Sequence, residues 1–407
     1  MAHMYHQHTT SGPTETGMAR LSLDDNDAKV RRWFVDETKR LGCKVTVDQM
    51  GNIFSVRPGL CDGAPTAMGS HLDTQPSGGR YDGILGIMAG LEALRVLHEN
   101  DVSTRYPVAL VNWTNEEGAR FPKSVVASGV WAGTIPLETA WALSEVGNPS
   151  ITMRSELERI GFLGEIPCNY LAMPLGAHFE LHIEQGPILE SEKAKIGVVQ
   201  GAQAYRWFTL DIEGRPSHTG TTPFNNRSDA LLCAAQIMVA SADIGKKHGG
   251  LSSTGILKLS PGSTNTTPGH VSMTIDMRHL NVLQLDKIET ELRVESESIA
   301  TTKCEKGCSV TWTKDYESPA VSFDEGCISA VRSAAIDTVG EEKVREMYSG
   351  AGHDSCATSI RCPTSMIFVP SRDGLSHNPL EYTSPEDCAL GAQVLLNAVL
   401  RYDSMRP

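Results

Sequence analysis

The chain has 407 residues, 40% of them hydrophobic and 21% charged, with 37 glycines and 21 prolines; at roughly 150 residues per domain this suits two to three globular domains and excludes a disordered or collagen-like chain. Lys+Arg 36 against Asp+Glu 49 leaves a net charge of −13, which argues against nucleic acid or an anionic membrane as the main partner. No run approaches the ~20 consecutive apolar residues of a membrane span, and the N-terminus lacks the basic-then-apolar order of a secretory signal, so the cytoplasm is the expected compartment.

Residues 1–20 begin MAHMYHQHTTSG, polar and dotted with histidine, and read as an unstructured tail whose histidines carry no site. From Leu23 to Leu41, Val30, Trp33, Phe34 and Leu41 recur at helical spacing, with Asp24, Asp25 and Asp27 near the start and Gly42 after the end; this predicts an amphipathic helix. CKVTVD, NIFSVRPG and AMGSHLDT are short β-forming runs, ILGIMAGLEALRVLHEN is a buried helix, and PVALVNWTNEEG is an apolar strand running into two carboxylates. AHFELHIEQG is a further strand with a polar end. Such alternation predicts a parallel or mixed sheet covered by helices, whose functional groups gather at the carboxyl ends of strands.

The character then changes. AYRWFTLDIEG alternates, PSHTGTTP is a loop, SDALLCAAQIMVASADI is a helix, TGILKLSPGS and GHVSMTIDMRH are strands, LQLDKIETELRVESESIA is a helix and SVTWTKD a last strand. That order is the split β-α-β layout of a small α+β domain, placed at 206–320. The helix and strand alternation resumed from Cys327, with CPTSMIFVP as a buried strand, returns to the first domain. The expected fold is therefore an α/β, mixed-sheet domain over 21–205 and 321–407 with an inserted ferredoxin-like α+β lid. The 10 cysteines include no CxxC pair; the closest, Cys304 and Cys308, lack the neighbouring His and Cys of a zinc clip.

GSHLDT sets His71 and Asp73 on one side of a strand end, so Asp73 is placed to orient the imidazole. Singly, a His-x-Asp is more often a capped strand end. Asp82 follows in GGRYDGILG, and Glu116 with Glu117 follows an apolar strand, where two like charges are costly unless a cation neutralises one. The division of labour that fits is one glutamate on metal and its neighbour free as general base, with a solvated acidic turn as the plainer alternative. His182 in HIEQG and His377 in LSHNP lie at two further element ends. Alone, each imidazole would be structural; jointly His71, Asp82, Glu117, His182 and His377 form a nitrogen and oxygen set suited to two divalent ions, zinc first, with manganese or cobalt as alternatives. If Asp82 bridges, room is left for a shared water whose pKa falls towards ~7.

GSHLDTQP, YDGILGIMAGLEAL, NEEGARF, HFELHIEQGPILE, GTTP, MRH, SGAGHDS and GLSHNP, in order and across nearly the whole chain, resemble the hydantoinase/carbamoylase branch of the dinuclear zinc peptidase superfamily, nearest the fungal type of β-alanine synthase (β-ureidopropionase). The resemblance implies that the five residues are metal ligands with Asp82 bridging, that Glu116 is the base, and that the Asp82–Gly83 peptide is cis. It implies that Gln185 lies near the substrate, that His218 binds the developing oxyanion, and that Asn265 and Arg278 hold the substrate carboxylate. A guanidinium is well suited to that grip, although an arginine at a strand end is as often a surface salt-bridge partner. His218, in a Gly/Thr/Pro loop, is no core histidine but could equally face solvent.

The expected catalytic set is thus Glu116, Asp73 and His218, and the expected reaction is hydrolysis of an N-carbamoyl amino acid, favoured as N-carbamoyl-β-alanine. The alternatives are N-carbamoyl-L-α-amino acids and allantoate. The small-molecule substrate is the expected partner, with a second copy joined through the lid as homodimer. A metal-binding protein without catalysis would have no need of an unliganded Glu116. A serine or cysteine hydrolase is disfavoured because there is no GxSxG, and Cys356, near His353 in GHDSCATS, lacks an activating layout.

Overall fold

The computed structural model describes residues 17–303 and 305–406. They divide into two compact units, one made of the described residues up to Gly201 together with those from Ser322 onward, the other of Ala202–Val321. Most of the tail expected over 1–20, and Cys304 of the Cys304/Cys308 pair, lie outside the described residues. Met18, within that tail, is buried and exchanges both backbone hydrogen bonds with Gly78 at 3.0 Å.

The first unit is built on a nine-stranded mixed sheet. From one edge its strands run Lys44–Val47, Ile53–Arg57, Val108–Trp113, Thr66–His71, Ala177–Ile183, Thr364–Val369, Ile196–Ala202 and Val321–Ser322, with Val344–Ser349 also paired to Ile196–Ala202. The four central strands are mutually parallel and buried along their whole length, as expected of strands covered on both faces. All four therefore end on one edge. Thr66–His71 closes on His71, Val108–Trp113 leads into Glu116 and Glu117, Ala177–Ile183 carries His182 next to its end, and Thr364–Val369 leads towards His377. In register, His71 stands beside Trp113 and His182 beside Phe368.

The flanking helices form where the sequence predicts them. Asp24 caps Asp25–Arg40 by accepting the N–H groups of Asn26 and Asp27, satisfying donors that have no partner within the helix. Ile84–Glu99 buries Ile87, Leu91, Leu94 and Leu97 and packs on the Thr66–His71 strand and on the closing helix Pro385–Met405. No described helix is long and apolar enough to cross a membrane.

The second unit has a five-stranded antiparallel sheet, with Leu251–Ser253, His270–His279, Ala204–Glu213 and Ser309–Ser318 in order and Leu257–Ser260 also paired to His270–His279. His270–His279 alternates strictly, burying Val271, Met273, Ile275 and Met277. These pack with Ile237, Leu285, Ile288 and Leu292 from the helices Ala230–Lys247 and Val282–Ser298. The strand and helix order follows the predicted split β-α-β pattern.

Candidate metal centre and active site

The edge where the four parallel strands end gathers two overlapping triads. The ligand atoms of His71, Asp82 and His182 all lie within 4.8 Å of one another, and so do those of Asp82, Glu117 and His377. Asp82 belongs to both. Its Oδ1 is 3.1 Å from His182 Nε2 and 3.7 Å from His71 Nε2, and its Oδ2 is 3.5 Å from His377 Nε2. Glu117 Oε2 approaches His377 Nε2 at 3.3 Å. All five residues expected as ligands are thus brought together.

The imidazoles are oriented for cation binding. Each of His71 and His182 sets Nδ1 against a backbone carbonyl, of Asp73 and Ile183 respectively, at 2.9 Å. A carbonyl only accepts, so Nδ1 carries a proton in both rings, and Nε2 is the atom turned towards Asp82. His71 Nε2 is buried and makes no hydrogen bond among the described residues, which leaves it a donor atom in want of an electrophile. Burial lowers the basicity of both rings. It takes His71 down to about 4, whereas for His182 the Asp82 carboxylate outweighs burial and lifts the group to about 9. The space beside Asp82 attracts positive charge.

The acidic groups give the same indication. Burial and then the neighbouring carboxylates of Asp354, Glu117, Asp82 and Asp73 push the Glu116 pKa well above 4.5; burial, Asp82 and Asp73 do the same to Glu117. Burial would also raise Asp82, but His182, His71 and His377 override it and hold that carboxyl well below the usual range. So many carboxyls in one buried place suit a pair of divalent cations, and the mixed imidazole and carboxylate donors suit zinc, manganese or cobalt.

Two expectations are corrected. The Asp82–Gly83 peptide is not cis; among the described residues the cis bond is Ser260–Pro261. The chain instead reverses in a γ-turn, with Gly83 at φ 67°, ψ −46° and Ile84 N–H donating to the Asp82 carbonyl at 2.7 Å. Asp73, expected to orient His71 through its carboxylate, does so through its backbone carbonyl, its Oδ1 lying 3.8 Å from Nδ1. Its two carboxylate oxygens accept the N–H groups of Glu116 and Glu117 at 3.3 Å each, so Asp73 fixes the backbone that carries the expected base and its neighbour.

Gly83 permits no side chain. A Cβ there would lie 2.3 Å from the His71 ring, and its N–H donates to His182 Nε2 at 3.2 Å. Gly83→Ala is therefore expected to lose about 1–3 kcal/mol from backbone strain alone and to displace His71; urea denaturation and cation titration check both.

Glu116 sits with Oε2 3.5 Å from His71 Nε2, on the centre yet in neither triad. Gln185 donates from Nε2 to Asp82 Oδ2 at 2.8 Å and to Ser376 Oγ at 3.0 Å. Two further residues were not singled out in the sequence: Ser376 Oγ donates to Asp82 Oδ2 at 2.6 Å, and Gln75 Nε2 donates to Glu117 Oε2 at 2.7 Å. Each lies inside a motif that holds a ligand, GLSHNP and GSHLDTQP, and that adjacency was the available signal. His353 is buried, bonded through Nε2 to Ser349 Oγ at 2.8 Å, and set edge-to-face against His182 with centroids 4.6 Å apart. Burial pushes the Cys356 thiol up to about 12, which opposes a nucleophilic role.

The remaining expected residues belong to the second unit. His218 pairs with Thr266 on a two-stranded ribbon, and the neighbouring Thr219 N–H donates to the Asn265 carbonyl at 2.8 Å, so His218 and Asn265 are local neighbours. Arg278 lies on the His270–His279 strand, its guanidinium 5.0 Å from the Tyr205 ring centroid and paired with Asp276 at 2.7 Å.

Comparison with known proteins accords with this geometry. Residues 67–401 match the family described as peptidase family M20/M25/M40. An N-carbamoyl-L-amino-acid amidohydrolase of Rhizobium meliloti is 41% identical over 94% of this chain and 91% of its own length. A ureidoglycolate hydrolase of Oryza sativa subsp. japonica is 34% identical over 94% of this chain and 80% of its own. The crystal structure of an amidase of the hydantoinase/carbamoylase family from Burkholderia multivorans superposes with a TM-score of 0.89 at 42% identity, covering 98% of this chain and 95% of the other.

Proposed function

The chain belongs to peptidase family M20/M25/M40, in its hydantoinase/carbamoylase-type amidase branch, and from this premise we propose that it hydrolyses the carbamoyl C–N bond of an N-carbamoyl-L-α-amino acid. The observation that carries the reading is the pair of triads sharing Asp82, with Glu116 beside them and in neither. The α-amino acid takes the place of the β-alanine derivative because the similar amidohydrolase is named for L-amino acids. A ureido acid such as ureidoglycolate is the second reading, favoured by the rice relative.

His71, Asp82 and His182 would hold one divalent cation, and Asp82, Glu117 and His377 the other. Bound there, the cations supply Lewis-acid polarisation of the ureido carbonyl and an activated water. Glu116 would accept a proton from the attacking water and return it to the leaving nitrogen as the C–N bond breaks. Asp73 keeps Glu116 in place through its backbone N–H. Gln185 steadies Asp82. In the second unit His218 donates to the developing oxyanion, and Asn265 and Arg278 bind the substrate carboxylate; assembly as a homodimer through this unit is part of the same proposal.

The test is an ammonia-release panel of N-carbamoyl-L-α-amino acids, N-carbamoyl-β-alanine, allantoate and ureidoglycolate, compared by kcat/KM in protein loaded with zinc, manganese or cobalt. The first class is expected to lead, and no turnover of any member would overturn the reading. Charge-assisted hydrogen bonds contribute about 1.5–3 kcal/mol, so Arg278→Ala is expected to reduce kcat/KM by roughly 10- to 100-fold, mostly through KM. Unchanged KM would remove Arg278 from the carboxylate site.

A further inference from the structure

Beyond the triads and Glu116, one buried acid grips the backbone of Asp82. Glu381 is 2% exposed, and its Oε1 accepts the N–H of Tyr81 at 2.9 Å and that of Asp82 at 3.1 Å. The loop is shaped to admit this carboxylate, since a Cβ on Gly79 would lie 2.2 Å from Glu381 Cδ. Glu381 also closes the turn that follows His377, its N–H donating to the Asn378 carbonyl at 2.9 Å. The rings of the adjoining Tyr81 and Tyr382 meet edge-to-face at 6.0 Å.

One short turn therefore reaches Asp82 twice. His377 faces its side chain at Oδ2, 3.5 Å away, while Glu381 holds its peptide N–H. The carboxylate of Asp82 must divide its two oxygens between the triads, and a rotation of the Asp82 backbone would take one oxygen away from its cation. A further buried acid close to Asp82 is a costly way to brace a loop unless the bracing serves the site.

We infer that Glu381 is a positioning residue, which fixes the orientation of Asp82 for cation binding by accepting the Tyr81 and Asp82 N–H groups. The inference rests on the cation-site reading given above. It assigns Glu381 no contact with substrate, and it requires an acceptor oxygen at that point more than a charge.

The experiment is cation binding without substrate: manganese titrated calorimetrically, and zinc by competition with a chromophoric chelator, alongside the melting temperature of the cation-free protein. Groups that orient ligands typically change affinity 10- to 100-fold. Glu381→Ala and Glu381→Asp, the latter a methylene too short, are expected to weaken binding by that factor. Glu381→Gln keeps the acceptor and is expected to stay within a few-fold of the parent. Should Glu381→Ala fail to fold, the Asp and Gln variants carry the same comparison. A lowered melting temperature with unchanged cation affinity in the Ala or Asp variant would reduce Glu381 to a loop staple and overturn the inference, as would a Gln variant that binds as poorly as the Asp variant. If the parent binds no divalent cation, the site reading falls together with the inference; if it binds cations but hydrolyses no ureido acid, only the reaction falls.

Discussion

Glu116→Gln is expected to abolish turnover while leaving both cations in place. General base catalysis contributes roughly 10²- to 10⁴-fold, and a glutamine of the same shape has no basic carboxylate to accept the proton, so kcat should drop by that factor. The five residues of the two triads are untouched, and the Glu116 N–H still meets Asp73 Oδ1. Metal analysis of the purified variant should therefore give the parent stoichiometry. Stability gives a second reading. In the cation-free fold the Glu116 pKa is raised above 4.5, by burial and the surrounding carboxylates, so its ionisation opposes folding increasingly as pH rises above that value. The amide removes this opposition. Cation-free Glu116→Gln is thus expected to melt no lower than the parent at neutral pH, and the advantage should fade as pH falls towards 4.5. Activity within tenfold of the parent would remove Glu116 as the base.

The sequence made the centre legible because its chemistry-bearing residues sit where periodic apolar runs stop. His71, Glu117 and His182 each end or follow a run that reads as a buried strand, and four such strands being parallel is enough to bring those ends to one edge. The inserted unit was legible for a similar reason: the strict alternation of His270–His279 and the two helical patterns around it leave little freedom in order. His218, Asn265 and Arg278 were named through resemblance, since a histidine in a loop or an arginine at a strand end carries no periodic signal of its own.

What the sequence did not disclose lies in backbone geometry. Whether the Asp82–Gly83 reversal uses a cis peptide or a positive-φ glycine depends on one torsion, and glycine tolerates the second solution without a steric penalty. The use of the Asp73 carboxylate on two backbone N–H groups, with its carbonyl on His71, reverses the expected division because a short aspartate at a strand end can reach either way. Glu381 was invisible for a related reason. Its partners are main-chain N–H groups some three hundred positions away in the chain, at Tyr81 and Asp82, and no residue type there announces them.

Asp82→Asn is the substitution expected to dismantle the centre. Asp82 is the one carboxylate common to both triads, and its ionised form is held by His182, His71 and His377 against the effect of burial. Asparagine keeps a single acceptor oxygen, and its NH₂ would face whichever triad loses the other. Bound metal should fall from two equivalents to less than one, and activity should be lost with it. The parent, with each cation at ~100 times its Kd, gains about 2.7 kcal/mol per site from binding the folded state alone, which for a domain of this size corresponds to a melting shift of about 5 °C per site. Chelation should reverse that shift in the parent. Asp82→Asn should show none, with or without added zinc, manganese or cobalt. The contrast with Glu116→Gln separates holding from chemistry: the asparagine variant is inactive because it is empty, the glutamine variant although it is full. Two equivalents of metal and a parent-like melting shift in Asp82→Asn would mean that the two triads do not share their central ligand, and the dinuclear reading of this edge of the sheet would have to be given up.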